Sequence, residues 1–206
     1  EFESATMTSP FFRPCWVEIR LDAVAHNGQA LRQRLHPSTK ILAVVKADAY
    51  GHGLIPVARV MAESRSDYLG VSSIEEGVAL RNAGLRLPVL ILGSLYPFDS
   101  FPALFEHKLT PTVASLEMSE ALNRLACQRA EPIPVHLKID TGFGRIGVSA
   151  THAADFLKGV ARCSGLRLEG FYTHFSSSDG DPSATHEQIQ AFQAVVRAAD
   201  AGGIRP

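Results

Sequence analysis

Cysteine is scarce in this chain of 206 residues: Cys15, Cys127 and Cys163 are an odd number, with no Cys-x-x-Cys spacing. That excludes a zinc ribbon and a disulfide framework, and reduced thiols lead to the expectation of a cytoplasmic protein. Long apolar runs are missing as well. The longest, Ile41–Val45 and Pro88–Leu92, are strand-sized, far short of the roughly 18 residues of a membrane-spanning helix, so no membrane partner is expected. Net charge is also absent: Lys plus Arg is 20 against 21 Asp plus Glu, a balance of −1. This excludes nucleic-acid binding through bulk positive charge, and it excludes an acidic disordered tail. Gly and Pro together contribute 28 residues, ordinary usage that rules out collagen-like or low-complexity sequence. The first residues lack a basic stretch followed by a long apolar one, so no signal peptide is expected. Residues 1–14 are read as a disordered or cloning-derived N-terminus, with Met7 as the native start, and residues 15–206 carry the fold.

What is present is a repeat. Apolar strand-sized runs occupy Ile41–Lys46, Tyr68–Ser73, Pro88–Gly93, Leu109–Val113, Val135–Asp140 and Leu168–His174, with starts 27, 20, 21, 26 and 33 residues apart. Amphipathic stretches near 54–64, 75–83, 100–107, 117–130 and 152–162 fill the gaps; helices over 22–35 and 186–200 flank the set. Ser73 with Glu76 three residues on forms a capping box for one helix, and Gly84 ends it. Strict alternation with short loops predicts an α/β protein with a parallel sheet. A (β/α) barrel and a doubly wound open sheet both suit it, and periodicity does not separate them. Trp16–Leu21 alternates like a further strand, with no partner inside the repeat.

Ligands of parallel α/β folds bind at the carboxyl ends of the strands, and charged residues gather there. Lys46 ends an apolar run on the strand face of Leu42 and Val44. If that face is interior, the amine is partly desolvated and becomes a nucleophile. Tyr50 and the glycines Gly51 and Gly53 follow at once, placing a hydroxyl and an approachable backbone where an anion can sit. A nucleophilic lysine beside a phosphate-sized site suits pyridoxal 5′-phosphate. On the fifth strand Val135, Leu137 and Ile139 alternate with His136, Lys138 and Asp140. Either the ionisable set points into a barrel or the strand is a solvated edge. Gly142, Gly144 and Gly147 then match a dinucleotide-binding glycine turn, with Glu169 about 20 residues later; Lys138 and Asp140 on the preceding strand, and Arg145 inside the turn, argue against a pyrophosphate there. His174 ends the sixth strand, so Lys46, Arg145 and His174 are expected to converge from three strand ends.

Ala43-Val-Val-Lys-Ala-Asp-Ala-Tyr-Gly-His-Gly53 resembles the cofactor-lysine motif of alanine racemases. His136-Leu-Lys-Ile-Asp-Thr-Gly-Phe-Gly-Arg-Ile-Gly147 resembles that family's second signature, Tyr172-Thr-His-Phe175 its third, and Trp16–Asn27 its usual opening. The resemblance runs from about residue 16 to 200. It implies a pyridoxal-phosphate-binding (β/α)8 barrel of which about six of eight strands are present, a β-rich C-terminal domain outside this chain, and a homodimer with shared sites. It implies interconversion of L- and D-alanine for peptidoglycan precursor supply, with little or no activity in this chain alone. By the same resemblance Lys46 carries the cofactor and acts as one base, and Tyr50 helps bind its phosphate. Arg145 meets the cofactor's phenolic oxygen and the substrate carboxylate, and His174 supports an arginine facing the pyridine nitrogen. Lys138 falls where many members carry a carbamylated lysine, no metal is implied, and Phe143 stands where methionine is common. That arginine, the second-base tyrosine and two further strands lie outside the chain, and Trp16–Leu21 would pack with the outlying domain. Whether serine as well as alanine is a substrate stays open. Three other readings remain: a related barrel protein (a decarboxylase, a broad-specificity racemase or a single-domain pyridoxal phosphate carrier), a nucleotide-dependent oxidoreductase built on the glycine turn, and a non-enzymatic fragment that binds cofactor or associates through open sheet edges.

Overall fold

The computed structural model describes residues 15–206; the expectations for residues 1–14 lie outside the described residues. In chain order the elements are α1 (Leu21–Arg34), β1 (Leu42–Val44), α2 (Lys46–Gly51), α3 (Leu54–Glu63), β2 (Tyr68–Val71), α4 (Ile74–Asn82) and β3 (Val89–Ile91). After a 3-10 turn at Phe98–Ser100 come α5 (Pro102–Glu106), β4 (Thr110–Val113), α6 (Leu116–Arg129), β5 (Ile133–Asp140), β6 (Val148–Ser149), α7 (Ala153–Val160), β7 (Leu166–Tyr172) and α8 (Pro182–Ala201). Every predicted strand of the repeat is found, most of them trimmed at the ends.

The sheet is parallel throughout, and its long strands neighbour one another in sequence order, β1-β2-β3-β4-β5, with β7 on β5. A doubly wound sheet reverses its strand order at a switch point; this one does not. It also curls. β2 and β7 stand four places apart in that order, about 19 Å in a flat sheet. Yet the Tyr68 hydroxyl of β2 donates to Glu169 Oε2 of β7 at 3.5 Å, and the Tyr68 ring meets His136 of β5 edge-on at 5.9 Å. Such contacts require the sheet to bend round a lumen, so the architecture is the arc of a barrel with helices outside.

The core lies between sheet and helices. Leu69, Val71, Val89, Ile91, Val113, Val135, Leu137 and Ile139 are fully buried and meet Leu80, Leu104, Leu122 and Leu157 from the helices. On β5 the apolar set therefore faces outward, and the ionisable set faces the lumen. β5 is paired on β4 and on β7, which overturns the solvated-edge reading. Three helix starts are set by side-chain caps. Ser73, Ser115 and Asp181 accept N–H bonds from the first turns of α4, α6 and α8, and Pro182 opens α8, where its missing N–H costs nothing.

Three local expectations are corrected. Trp16–Leu21 is not a strand: residues 15–20 form no element, Leu21 opens α1, and Trp16 and Val17 are exposed, having no neighbour that would pair their backbone. A two-residue strand, β6, pairs Ile139 and Asp140 after the glycine turn; its apolar signal is too short to read. Lys46 stands past β1 rather than in it. Ala47, Asp48, Ala49 and Tyr50 all have φ between 51° and 57°, so the chain leaves β1 through one left-handed turn.

Candidate active site

A cavity of about 640 Å³ opens at the carboxyl ends of the strands. Its wall includes Lys46 and Tyr50 from beyond β1, Lys138 and Asp140 from β5, Arg145 from the glycine turn, and His174 from beyond β7. All five positions singled out in the sequence, Lys46, Tyr50, Lys138, Arg145 and His174, thus meet in one place.

Lys46 is half-buried, and its Nζ lies 5.9 Å from the centre of the Tyr50 ring. It shares its wall with Leu42 and Val44, and Val44 is 38% exposed. That face of β1 does look inward, as its alternation implied, but onto an open lumen. The anion position expected around Gly51 and Gly53 is filled by the protein itself. Leu54 N–H donates to Asp48 Oδ1 at 2.7 Å and Gly53 N–H to the Asp48 carbonyl at 2.9 Å, so the first turn of α3 offers no open cradle there.

Across the lumen, Lys138 is 7% exposed and rests its Nζ 4.2 Å from the centre of the Tyr172 ring. Burial, with the nearby Arg145 charge, pulls its amine down to about 8; Asp140 opposes the shift. Tyr172 shares a 2.7 Å hydrogen bond with Thr112 Oγ1. Burial pushes its phenol up to about 12, against the Thr112 bond and the Arg145 charge. The Arg145 guanidinium stacks 4.4 Å from the Phe143 ring, and Phe143 meets His174 edge-on at 4.7 Å. Burial lowers the His174 imidazole below its ordinary range, as do the positive charges of Lys138, Arg145 and Lys46.

The glycine turn settles the dinucleotide reading. Asp140 Oδ1 accepts the N–H groups of Gly142, Phe143 and Gly144 at 2.9, 2.9 and 3.1 Å. A nest of this kind would cradle a pyrophosphate, but an internal carboxylate already fills it. Burial opposes ionisation of Asp140, and these N–H groups with Lys138 outweigh it, holding the carboxyl below its ordinary range. A pyrophosphate would meet that charge head-on. Gly147 closes the turn at φ 134°, where a Cβ would come within 2.8 Å of the Asp140 nitrogen. Glu169 is partly buried on β7, bonded to Tyr68 and Arg167.

Two supports have only a weak sequence signal. Gln188 of α8, 4% exposed, donates to Thr141 Oγ1 and the His174 carbonyl and accepts from Ser176 N–H and Oγ–H. It ties the ends of β5 and β7 together. Glu76 was legible only as a helix cap, and its carboxylate, which the Ser73 N–H also helps hold in its charged form, reaches further than that. It accepts from Ala47 N–H at 2.6 Å and from Ser72 N–H and Oγ–H at 2.7 and 2.8 Å. A long apolar stretch with spaced polar residues would have marked Gln188 as facing inward, but its partners could not be read.

Residues 19–206 match the family model described as alanine racemase, N-terminal domain. An alanine racemase of Halothermothrix orenii is 44% identical over 191 residues, covering 92% of this chain and 50% of that protein. One of Desulfovibrio desulfuricans is 41% identical, covering 95% and 53%. Among solved structures, alanine racemase of Clostridium difficile 630 superposes with a TM-score of 0.86 at 34% identity, over 95% of this chain and 52% of that one. The Bacillus anthracis enzyme with bound L-Ala-P gives 0.86 at 32% identity, over 96% and 51%. The chain spans about half the length of the relatives it matches.

Proposed function

We propose, from the premise that this chain belongs to the family of alanine racemase N-terminal domains, that it forms the cofactor-bearing half of an enzyme interconverting L- and D-alanine. The observation that carries the reading is the convergence of Lys46, Lys138, Arg145 and His174 on one cavity at the strand ends. The bound group is pyridoxal 5′-phosphate. When held, it supplies an electron sink that stabilises negative charge on the substrate Cα.

The residues present fit that group. The cavity is of small-molecule size. Lys46 offers the only primary amine on the β1 wall, positioned to bond an aldehyde and to take and return the Cα proton from its face. Tyr50 offers a hydroxyl to the phosphate. Arg145, held by the Phe143 ring, offers a fixed cation to the phenolic oxygen and the substrate carboxylate. His174, whose imidazole burial and the neighbouring cations hold below its ordinary range, supports a further cation. Tyr172 and Phe143 line the opposite wall and exclude water. Two bases on opposite faces of Cα avoid turning the substrate over, and the second is assigned to a residue outside this chain.

Lys138 is assigned as a carbamylated lysine. Unmodified, it and Arg145 are neighbouring cations with no carboxylate paired to Lys138 among the described residues. Addition of carbon dioxide to the neutral amine, with loss of one proton, makes an anion that pairs with Arg145. A homodimer with shared sites, a cytoplasmic location and a role in D-alanine supply for peptidoglycan complete the reading. The free thiols of Cys15, Cys127 and Cys163 agree with a reducing compartment. Among the described residues no helix is long and apolar enough to cross a membrane.

The test is covalent. Borohydride treatment in the presence of pyridoxal 5′-phosphate should label the peptide containing Lys46, and Lys46→Ala should abolish that label. Labelling spread over surface lysines, with none at Lys46, removes the basis of the reading. The 206-residue chain, purified free of host racemase, should form little or no D-alanine; ready turnover would show that the second base is already present.

A further inference from the structure

The turn that carries Lys46 out of β1 is costly. Four successive residues with side chains, Ala47 to Tyr50, adopt the left-handed conformation, which non-glycine residues avoid because Cβ crowds the following carbonyl. Such a segment persists only where its surroundings over-determine it. Some of its restraints are local: Ala49 N–H donates to the Val45 carbonyl, Gly53 N–H to the Asp48 carbonyl and Leu54 N–H to Asp48 Oδ1. One comes from far along the chain. Glu76, in the first turn of α4, accepts Ala47 N–H at 2.6 Å.

We propose that Glu76 is a positioning residue for Lys46, acting through the peptide unit that joins Lys46 to Ala47. This rests on the assignment of Lys46 as the cofactor lysine. The planar Lys46–Ala47 peptide has its N–H on one side and the Lys46 carbonyl on the other, so fixing the Ala47 N–H fixes the backbone direction in which Lys46 leaves the strand. Glu76 is itself anchored by Ser72 N–H and Oγ–H, just beyond β2. It therefore references the turn after β1 to the neighbouring strand end. A helix cap alone does not explain this. Capping of α4 is done by Ser73, which accepts Glu76 N–H, and the bond to Ala47 contributes nothing to α4. Charge assistance makes both carboxylate contacts strong and short. Burial opposes ionisation of the carboxyl, and the Ser72, Ala47 and Ser73 donors outweigh it, holding it below its ordinary range.

The test compares Glu76→Ala and Glu76→Gln with the parent chain, well below every thermal midpoint. The rate of borohydride-trapped labelling of Lys46 by pyridoxal 5′-phosphate should fall about tenfold in Glu76→Ala, the loss expected when a charge-assisted bond is removed. It should fall less in Glu76→Gln, whose amide keeps one acceptor oxygen. Equal labelling rates in all three, with only the midpoint lowered, would reduce Glu76 to a structural residue and overturn the proposal. A second measurement needs no cofactor: amide exchange at Ala47 and Asp48 should accelerate in Glu76→Ala while amides of α6 stay unchanged. Unchanged exchange at Ala47 overturns the proposal on its own. If exchange accelerates but the parent chain takes no label at Lys46, the hold on the turn stands and it is the cofactor reading that fails.

Discussion

Lys138 shows what a single residue can reveal. Its alternation with Leu137 and Ile139 set it on a face that was either lumen or solvated edge, and the structure leaves it almost sealed beneath Tyr172. At about 8, roughly a tenth of its amine is neutral at pH 7, against a few ten-thousandths for an ordinary lysine. On the proposed carbamylation, that neutral fraction is the nucleophile that adds to carbon dioxide. Intact mass in bicarbonate buffer should show the gain of one carbon dioxide, lost in Lys138→Met; an unchanged mass would leave Lys138 a plain buried amine. With carbon dioxide removed, the sign of the pH effect is fixed. The folded amine titrates near 8 and the unfolded one near 10.5, so the unfolded chain binds more protons between those values. Stability should rise with pH across that window, and the rise should flatten in Lys138→Met. Residue types at strand ends were readable because alternation assigns faces. The bond from Glu76 to Ala47 was not, because it joins positions 29 apart that only the folded sheet makes adjacent.

Among elements, those with a full period declared themselves, and those shorter than a period did not. The helices α1, α3, α4, α6 and α7 fall within about two residues of their expected ranges, since each is long enough to show its apolar period, and in α4 and α6 a serine cap marks the start as well. Left-handed backbone has no such signal: Ala47-Asp-Ala-Tyr50 reads as ordinary loop or helix, and the conformation is imposed from outside. α8 begins earlier than its apolar pattern, because Asp181 and Pro182 start it before the first inward residue. The cap on α6 offers a quantitative check. Ser115 accepts Met118 N–H at 3.2 Å. Ser115→Ala should therefore cost about 1 kcal/mol and lower the thermal midpoint by roughly 2–4 °C, without altering Lys46 labelling. A loss of labelling would mean that α6 is coupled to the site in a way its contacts do not show.

At the scale of the whole molecule, the arc has two free sides. Among the described residues β1 pairs only with β2, and β7 only with β5, and unpaired strand edges recruit other strands. Exposed apolar side chains add to this, Leu31 and Leu35 on and after α1 and Ile189 and Val196 on α8. The 206-residue chain should show an apparent mass in sedimentation that rises with concentration. A monodisperse monomer at all concentrations would show that these edges are protected. Barrel versus open sheet was beyond periodicity because both repeat β and α alike; the Tyr68–Glu169 contact across the lumen decides it.

The sequential strand order also sets a timetable. Each strand docks only on one already made, and the cavity takes its first wall from Lys46 and its last from His174, more than a hundred residues downstream. As the ribosome releases the chain from its N-terminus, the amine must therefore wait, unhoused, until β7 and the Gln188 tie have emerged. A nascent chain halted before that point would display a lysine but no pocket, so on the proposed reading vitamin capture would report completion of the arc rather than synthesis of the motif.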